Sequence, residues 1–134
     1  MVVAPTVARS LAGTLNLRAA SIGMRASELS GGNQQKVAFA KWLLTKPRVL
    51  LLDEPTRGID VGAKQEVYAL MDRWTAEGIA ILLITSEMPE LLAMSDRIVV
   101  LHRGRVTAEF GRTEATPDAV LAAAMGREGE RLTA

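Results

Sequence analysis

Hydrophobic positions along this chain keep two different periods. Runs rich in Val, Ile and Leu alternate with longer stretches in which apolar residues return every three or four positions. That is the pattern of a parallel sheet whose strands are joined by crossover helices. The runs Val49 to Leu52 and Ile79 to Ile84 are unbroken by polar residues, so both are expected to be strands buried on two faces. Between them, Val61 to Glu77 sets Val67, Leu70, Met71 and Trp74 on one stripe and then meets Gly78, which predicts the crossover helix and its stop. Val37, Ala40, Leu43 and Leu44 predict an earlier helix, broken by Pro47, and Val7, Leu11 and Leu15 would line one face of a first helix.

Further on, Arg97 to Leu101 and Val106 to Phe110 flank Arg103-Gly104-Arg105, and a glycine in so short a connection predicts a hairpin, expected as an antiparallel edge of the sheet. Thr116 as N-cap, Pro117 at the first helical position, and Ala119, Val120, Leu121 and Ala124 ahead of Gly126 predict a last helix. The residues from Arg127 onward are expected to fray. The fold class is therefore α/β, with a mostly parallel sheet and crossover helices.

Composition narrows the choice of function. The 134 residues, 49% apolar, suit one domain with one core. Sixteen Lys plus Arg against fifteen Asp plus Glu give a net charge of +1, without the basic field of a nucleic-acid binder. The absence of cysteine excludes a disulfide framework, a Cys-ligated zinc and a thiol nucleophile, and it fits a reducing compartment. The longest aliphatic run, Ile79 to Ile84, is far below the roughly 20 residues of a spanning helix, so a membrane role would be peripheral. Residues 1–27 carry Arg9, Arg18 and Arg25 and no acidic residue, a composition shared by mitochondrial transit peptides and by plain surface helices. The helix reading is preferred.

Two segments carry candidate chemistry. Arg48 to Pro55 is a hydrophobic strand delivering two adjacent carboxylates, Asp53 and Glu54, at its C-terminal end, where open α/β sheets place ligands. A magnesium ion bridging nucleotide phosphates would be held by Asp53 directly or through water. Glu54 could then orient and deprotonate an attacking water. The plainer alternative is a strand that ends in a solvated acidic turn. Leu29-Ser30-Gly31-Gly32-Asn33-Gln34-Gln35-Lys36 places small residues at a helix start, where unpaired N–H groups and the positive end of the dipole favour an anion. Its plainer alternative is a helix cap preceded by a turn.

The order and spacing of the two segments resemble the ATP-binding cassette (ABC) ATPase family. Leu29 to Gln34 is similar to its signature, with Asn33 where Gln is more usual, and Val49 to Pro55 resembles its Walker-B strand. Gly58-Ile59-Asp60 falls where the family has its D-loop. The stretch Asp53 to Lys64, with Ser86 to Glu90 and Met94 to Ile98, looks like the second cassette of ribose, xylose and galactose importers. The resemblance implies the C-terminal half of a P-loop, RecA-like domain, with residues 1–45 as the end of the helical subdomain, 46–126 as the core and 127–134 as a tail. It implies Mg2+ and ATP as cofactors. Ser30, Gly31, Gly32, Asn33 and Asp60 would bind nucleotide, Asp53 the metal, and Glu54 and Ser86 would be catalytic. The implied partners are a second cassette, membrane permease subunits and, indirectly, a periplasmic sugar-binding protein, with the chain peripheral on the cytoplasmic face of a bacterial plasma membrane and no nucleic acid involved.

Two departures from the family stand out. Its switch histidine follows the strand that ends at Ile84, and here Ser86 takes that place. A serine cannot carry a proton near neutral pH, so a transition-state contact would be weakened. Second cassettes of sugar importers often show this change. The alternative for Ser86 is a cap on a helix starting at Glu87, and it is the preferred one. His102, the only histidine, falls at the hairpin and has no expected catalytic part. The larger departure is that the dipeptide Gly-Lys, which a phosphate-gripping P-loop requires, occurs nowhere, and Gln34, Gln35 and Gln65 all lie at or after the signature. An N-terminally truncated cassette, inactive by itself, is the expectation. A remnant that only docks on a full cassette is the alternative. A soluble ATPase of translation or DNA repair fits the residues from Thr56 to Asp60 less well.

Overall fold

The computed structural model describes residues 4–127. In chain order they form α1 (Pro5–Thr14), a 3-10 turn (Ala26–Glu28), α2 (Gly31–Leu43), β1 (Val49–Asp53), α3 (Val61–Ala76), β2 (Ala80–Ile84), α4 (Met88–Met94), β3 (Arg97–His102), β4 (Arg105–Gly111) and α5 (Pro117–Ala124). The tail expected to fray lies, from residue 128 on, outside the described residues. Two compact units are divided between Ile84 and Thr85.

In the first unit β1 and β2 are parallel, in register from Val49 opposite Ala80 to Asp53 opposite Ile84, and α3 is the connection between them. The predicted stripe of α3 is its buried face, with Val67, Leu70, Met71 and Trp74 inside, together with Leu50, Leu52 and Phe39. Phe39 meets Trp74 edge to face, with centroids 5.2 Å apart and planes at 79°, an arrangement that adds about 0.5–1.5 kcal/mol to the burial itself. Three helix ends adopt the same solution for their last carbonyls. After α3, Gly78 at φ +89 lets its own amide reach Thr75 O and that of Ile79 reach Trp74 O. Asn16 does this after α1, and in the second unit Gly126 does it after α5.

The strands were expected to be buried on both faces, and this is corrected. Leu50 and Leu52 are buried, whereas the alternate residues Val49, Leu51, Leu82 and Ile84 are half-exposed or more, Leu51 at 69%. The pleat sends successive side chains to opposite faces, and α3 supplies a hydrophobic cover on one of them.

In the second unit β3 and β4 form a hairpin through Arg103 and Gly104, both at positive φ (+48 and +77), the backbone that a two-residue turn between antiparallel strands requires. The hairpin is its own two-stranded sheet and not an edge of the β1–β2 pair, which differs from the expectation. Its register shifts between Val100 and Leu101, where Thr107 is the additional residue. The buried face holds Ile98, Val100, Ala108 and Phe110 against Val120 and Ala123 of α5, with Met88, Leu91 and Leu92 of α4 alongside. Thr116 accepts from Ala119 N–H as the predicted N-cap of α5.

Candidate functional site

β1 ends on Asp53, whose side chain is exposed on the same face as Val49 and Leu51. The next residue, Glu54, turns out of the strand with φ +47, a left-handed backbone that only a few per cent of non-glycine residues adopt. Its N–H still donates to Ile84 O at 2.8 Å, so the parallel ladder holds the turn at its root. Pro55 and Thr56 are buried directly after it. The chain reverses through Arg57 N–H to Glu54 O (3.1 Å) and Gly58 at φ +75, and Asp60 then caps α3 by accepting from Ala63 N–H at 2.9 Å. Asp60, expected to bind nucleotide, is thus engaged as a helix cap.

Ser30 stands at the N-cap position of α2 with an extended backbone, yet its side chain does not cap the helix. Its Oγ accepts from Asn33 Nδ2 at 2.9 Å, and Asn33 Oδ1 accepts from the backbone N–H of Arg18 at 3.0 Å. Gln34 Nε2 donates back to Leu29 O at 2.9 Å, fixing the entry to the helix. Gly31 and Gly32 pack on the segment after the carboxylates. A Cβ on Gly31 would meet Ile59 Cγ2 at 3.4 Å, and one on Gly32 would stand 2.6 Å from the Cβ of Ala63. Residues 30–33 and 58–63, far apart in sequence, are therefore in contact, and Gly32 is buried in that contact.

Ser86 lies in the second unit. The helix expected to start at Glu87 begins at Met88, with Glu87 itself at the N-cap position, and the hydroxyl of Thr85 accepts from Glu87 N–H at 3.0 Å. His102 closes β3, its Nδ1 lying 2.8 Å from Ala124 O at the end of α5, a structural contact.

Sequence reasoning missed Lys36, which is 2% exposed. Its ammonium donates to Asn16 O at 2.9 Å and pairs with Glu66 of α3, and Arg18 approaches the other oxygen of the same carboxylate at 3.5 Å. The hydrogen bond from Lys36, with its charge and that of Arg18, holds the Glu66 carboxyl below its usual range against a smaller opposing effect of burial. The signal was present in the sequence. Gly32, Lys36, Phe39 and Leu43 recur at helical spacing, and the lysine occupies a position in the inward row.

Among the described residues no group of three or more His, Cys, Asp or Glu is placed to hold a metal ion. Asp53 still suits magnesium, which commonly takes one or two protein carboxylates and completes its octahedron with phosphate oxygens and water. No described helix is long and apolar enough to cross a membrane.

A family model described as ABC transporter matches residues 5–57. A ribose import ATP-binding protein of Rubrobacter xylanophilus is 58% identical over 92% of this chain and 24% of its own length. One from Streptomyces coelicolor is 56% identical over 84% of the chain and 22% of its own length. The chain thus spans about a quarter of the curated relatives it matches. Among solved structures, an ATP-binding cassette of an ABC transporter superposes with a TM-score of 0.77 at 25% identity, over 91% of this chain and 48% of that one. A dimeric cassette bound to ADP and Pi gives 0.69 at 25% identity, over 80% and 46%.

Proposed function

The chain belongs to the ABC transporter family, and from that premise we propose that it supplies one side of a composite ATPase site that drives monosaccharide import. The observation that carries this reading is the packing of Gly31 and Gly32 on Ile59 and Ala63. It joins a glycine-started helix to the segment that leaves the Asp53-Glu54 pair, so both chemistries belong to one body.

Asp53 would hold magnesium directly or through water, with phosphate oxygens as the other ligands, and the bound metal would offset the charge that develops on the transferred phosphoryl group. Glu54 orients the attacking water and accepts its proton. Ser30 and the first-turn amides of α2 face the γ-phosphate of a nucleotide held by a second cassette. The β- and γ-phosphates of the chain's own site need a glycine-rich loop ending in Gly-Lys, and none lies within these residues. Membrane permease subunits and a sugar-binding protein are the further partners, and the chain is peripheral on the cytoplasmic membrane face. The similarity to ribose import ATP-binding proteins supports a monosaccharide as cargo.

The test is Mg-ATP hydrolysis by the purified chain, alone and mixed with a separate polypeptide of the same family that carries the Gly-x-x-x-x-Gly-Lys-Ser/Thr loop. No turnover is expected from the chain alone, and turnover abolished by Glu54→Gln is expected from the mixture. Glu54-dependent hydrolysis by the chain alone overturns the composite site. Association without turnover in the mixture favours a second reading, a docking module with no ATPase activity of its own.

A further inference from the structure

The amide of Asn33 is fixed at both ends. Its Oδ1 accepts from the backbone N–H of Arg18 at 3.0 Å, a group that can only donate, so Nδ2 is turned towards Ser30 and donates to its Oγ at 2.9 Å. One turn further along α2, Lys36 donates to Asn16 O at 2.9 Å. Two side chains on one helix face thus grip the backbone of residues 16–18 from either side of Leu17, and this grip sets the orientation of the amide.

A serine at a helix start ordinarily accepts from the N–H two or three residues on. Here the Ser30 hydroxyl is turned to the Asn33 side chain, from which it accepts, and no cap bond forms from Ser30 to the helix amides. Two things follow from the donor and acceptor inventory of a hydroxyl. The amides of the first turn stay available to an outside acceptor. The hydroxyl proton of Ser30, no lone pair of the Asn33 nitrogen being available to it, is also left to donate outwards.

We propose that Asn33 is a positioning residue, not a ligand contact: it holds Ser30 off the helix amides and so keeps Ser30 and the start of α2 set for an anionic phosphate. The inference rests on the reading of Ser30 to Gly32 as a phosphate-facing surface, and it assigns Asn33 a role through Ser30.

The experiment uses amide-resolved NMR on the full chain, with inorganic phosphate as probe. Asn33→Ala removes both bonds, Asn33→Asp keeps the acceptor for Arg18 N–H but loses the donor to Ser30, and Asn33→Gln keeps both functions. Once released, Ser30 caps the helix. Hydrogen exchange at the amides of Gly32 and Asn33, or of the residue replacing it, is then expected to slow by about fivefold in the Ala and Asp variants, the size of one capping bond. It should stay near the wild-type rate in Asn33→Gln. Phosphate-induced shifts at Gly31 and Gly32 should shrink in the Ala variant and return in the Gln variant. Unchanged exchange in the Ala and Asp variants overturns the proposal. Slowed exchange without any phosphate-induced shift in the wild type upholds the role of Asn33 towards Ser30 but overturns the phosphate-facing reading on which the rest depends.

Discussion

A Cβ on Gly32 would stand 2.6 Å from the Cβ of Ala63, a separation that real Cβ atoms essentially never show. The helix that starts at the glycine pair therefore approaches α3 as closely as it does because position 32 has no side chain.

Gly32→Ala is expected to destabilise the chain by about 1–2 kcal/mol, since overpacking of about 1–3 kcal/mol is partly offset by the better helix propensity of alanine. Gly31→Ala, whose methyl would meet Ile59 Cγ2 at an ordinary 3.4 Å, should be nearly neutral. Urea unfolding of both variants, and of Gly32→Ala combined with Ala63→Gly, checks this. The double variant should recover most of the loss, and failure to recover it would place the strain elsewhere.

The pairing of Lys36 with Glu66 predicts an order of effects. Glu66→Ala strands a cation that is 2% exposed and should cost more than Lys36→Met, which replaces that cation by an apolar chain of similar length. The Glu66 carboxyl is lowered when folded, so its contribution is present above the ordinary glutamate range near pH 4.5 and is lost as pH falls through the lower folded value. Unfolding midpoints measured between about pH 3 and 6 should therefore drop with acid in the wild type and drop less steeply in Glu66→Gln.

How much of this was legible in the sequence depends on the kind of signal. The stripe of α3, the stop at Gly78, the Thr116 cap and the Arg103-Gly104 turn were readable because each rests on chemistry within a few residues. Strand burial was misjudged because an unbroken run such as Val49 to Leu52 reports what the side chains are, not what stands against each face. Lys36 reads from the sequence as part of the signature and not of the inward row, since its partners Asn16 and Glu66 come from elsewhere in the chain. The adjacency of Asp53 and Glu54 was plain, whereas the contact between residues 30–33 and 58–63 required the tertiary structure.

The left-handed backbone of Glu54 predicts a conflict between stability and chemistry. Glu54→Asn and Glu54→Gly place residues that tolerate φ +47, and each should raise stability by up to about 1 kcal/mol. In a site completed by a P-loop partner the same substitutions should abolish hydrolysis. Denaturant midpoints at or below the wild-type value would show that the turn carries no strain.

Self-association is expected through the exposed side of the β1–β2 pair, where Val49, Leu51, Leu82 and Ile84 stand together. Sedimentation velocity should show species larger than a monomer that grow with concentration. Leu51→Lys, at the most exposed of the four, should reduce them, and an unchanged distribution would assign the association to another surface.

The alternation along β1 also ties the hydration of that side to the carboxylate at its end, because Asp53 closes the row that Val49 and Leu51 begin. Any element that dries the aliphatic part draws water away from the neighbouring anion and strengthens its attraction to a cation, as charges act more strongly in a medium of lower permittivity. If Asp53 holds a divalent ion, as proposed, its occupancy and closure of the greasy surface would favour one another reciprocally, each raising the equilibrium of the other by the same factor.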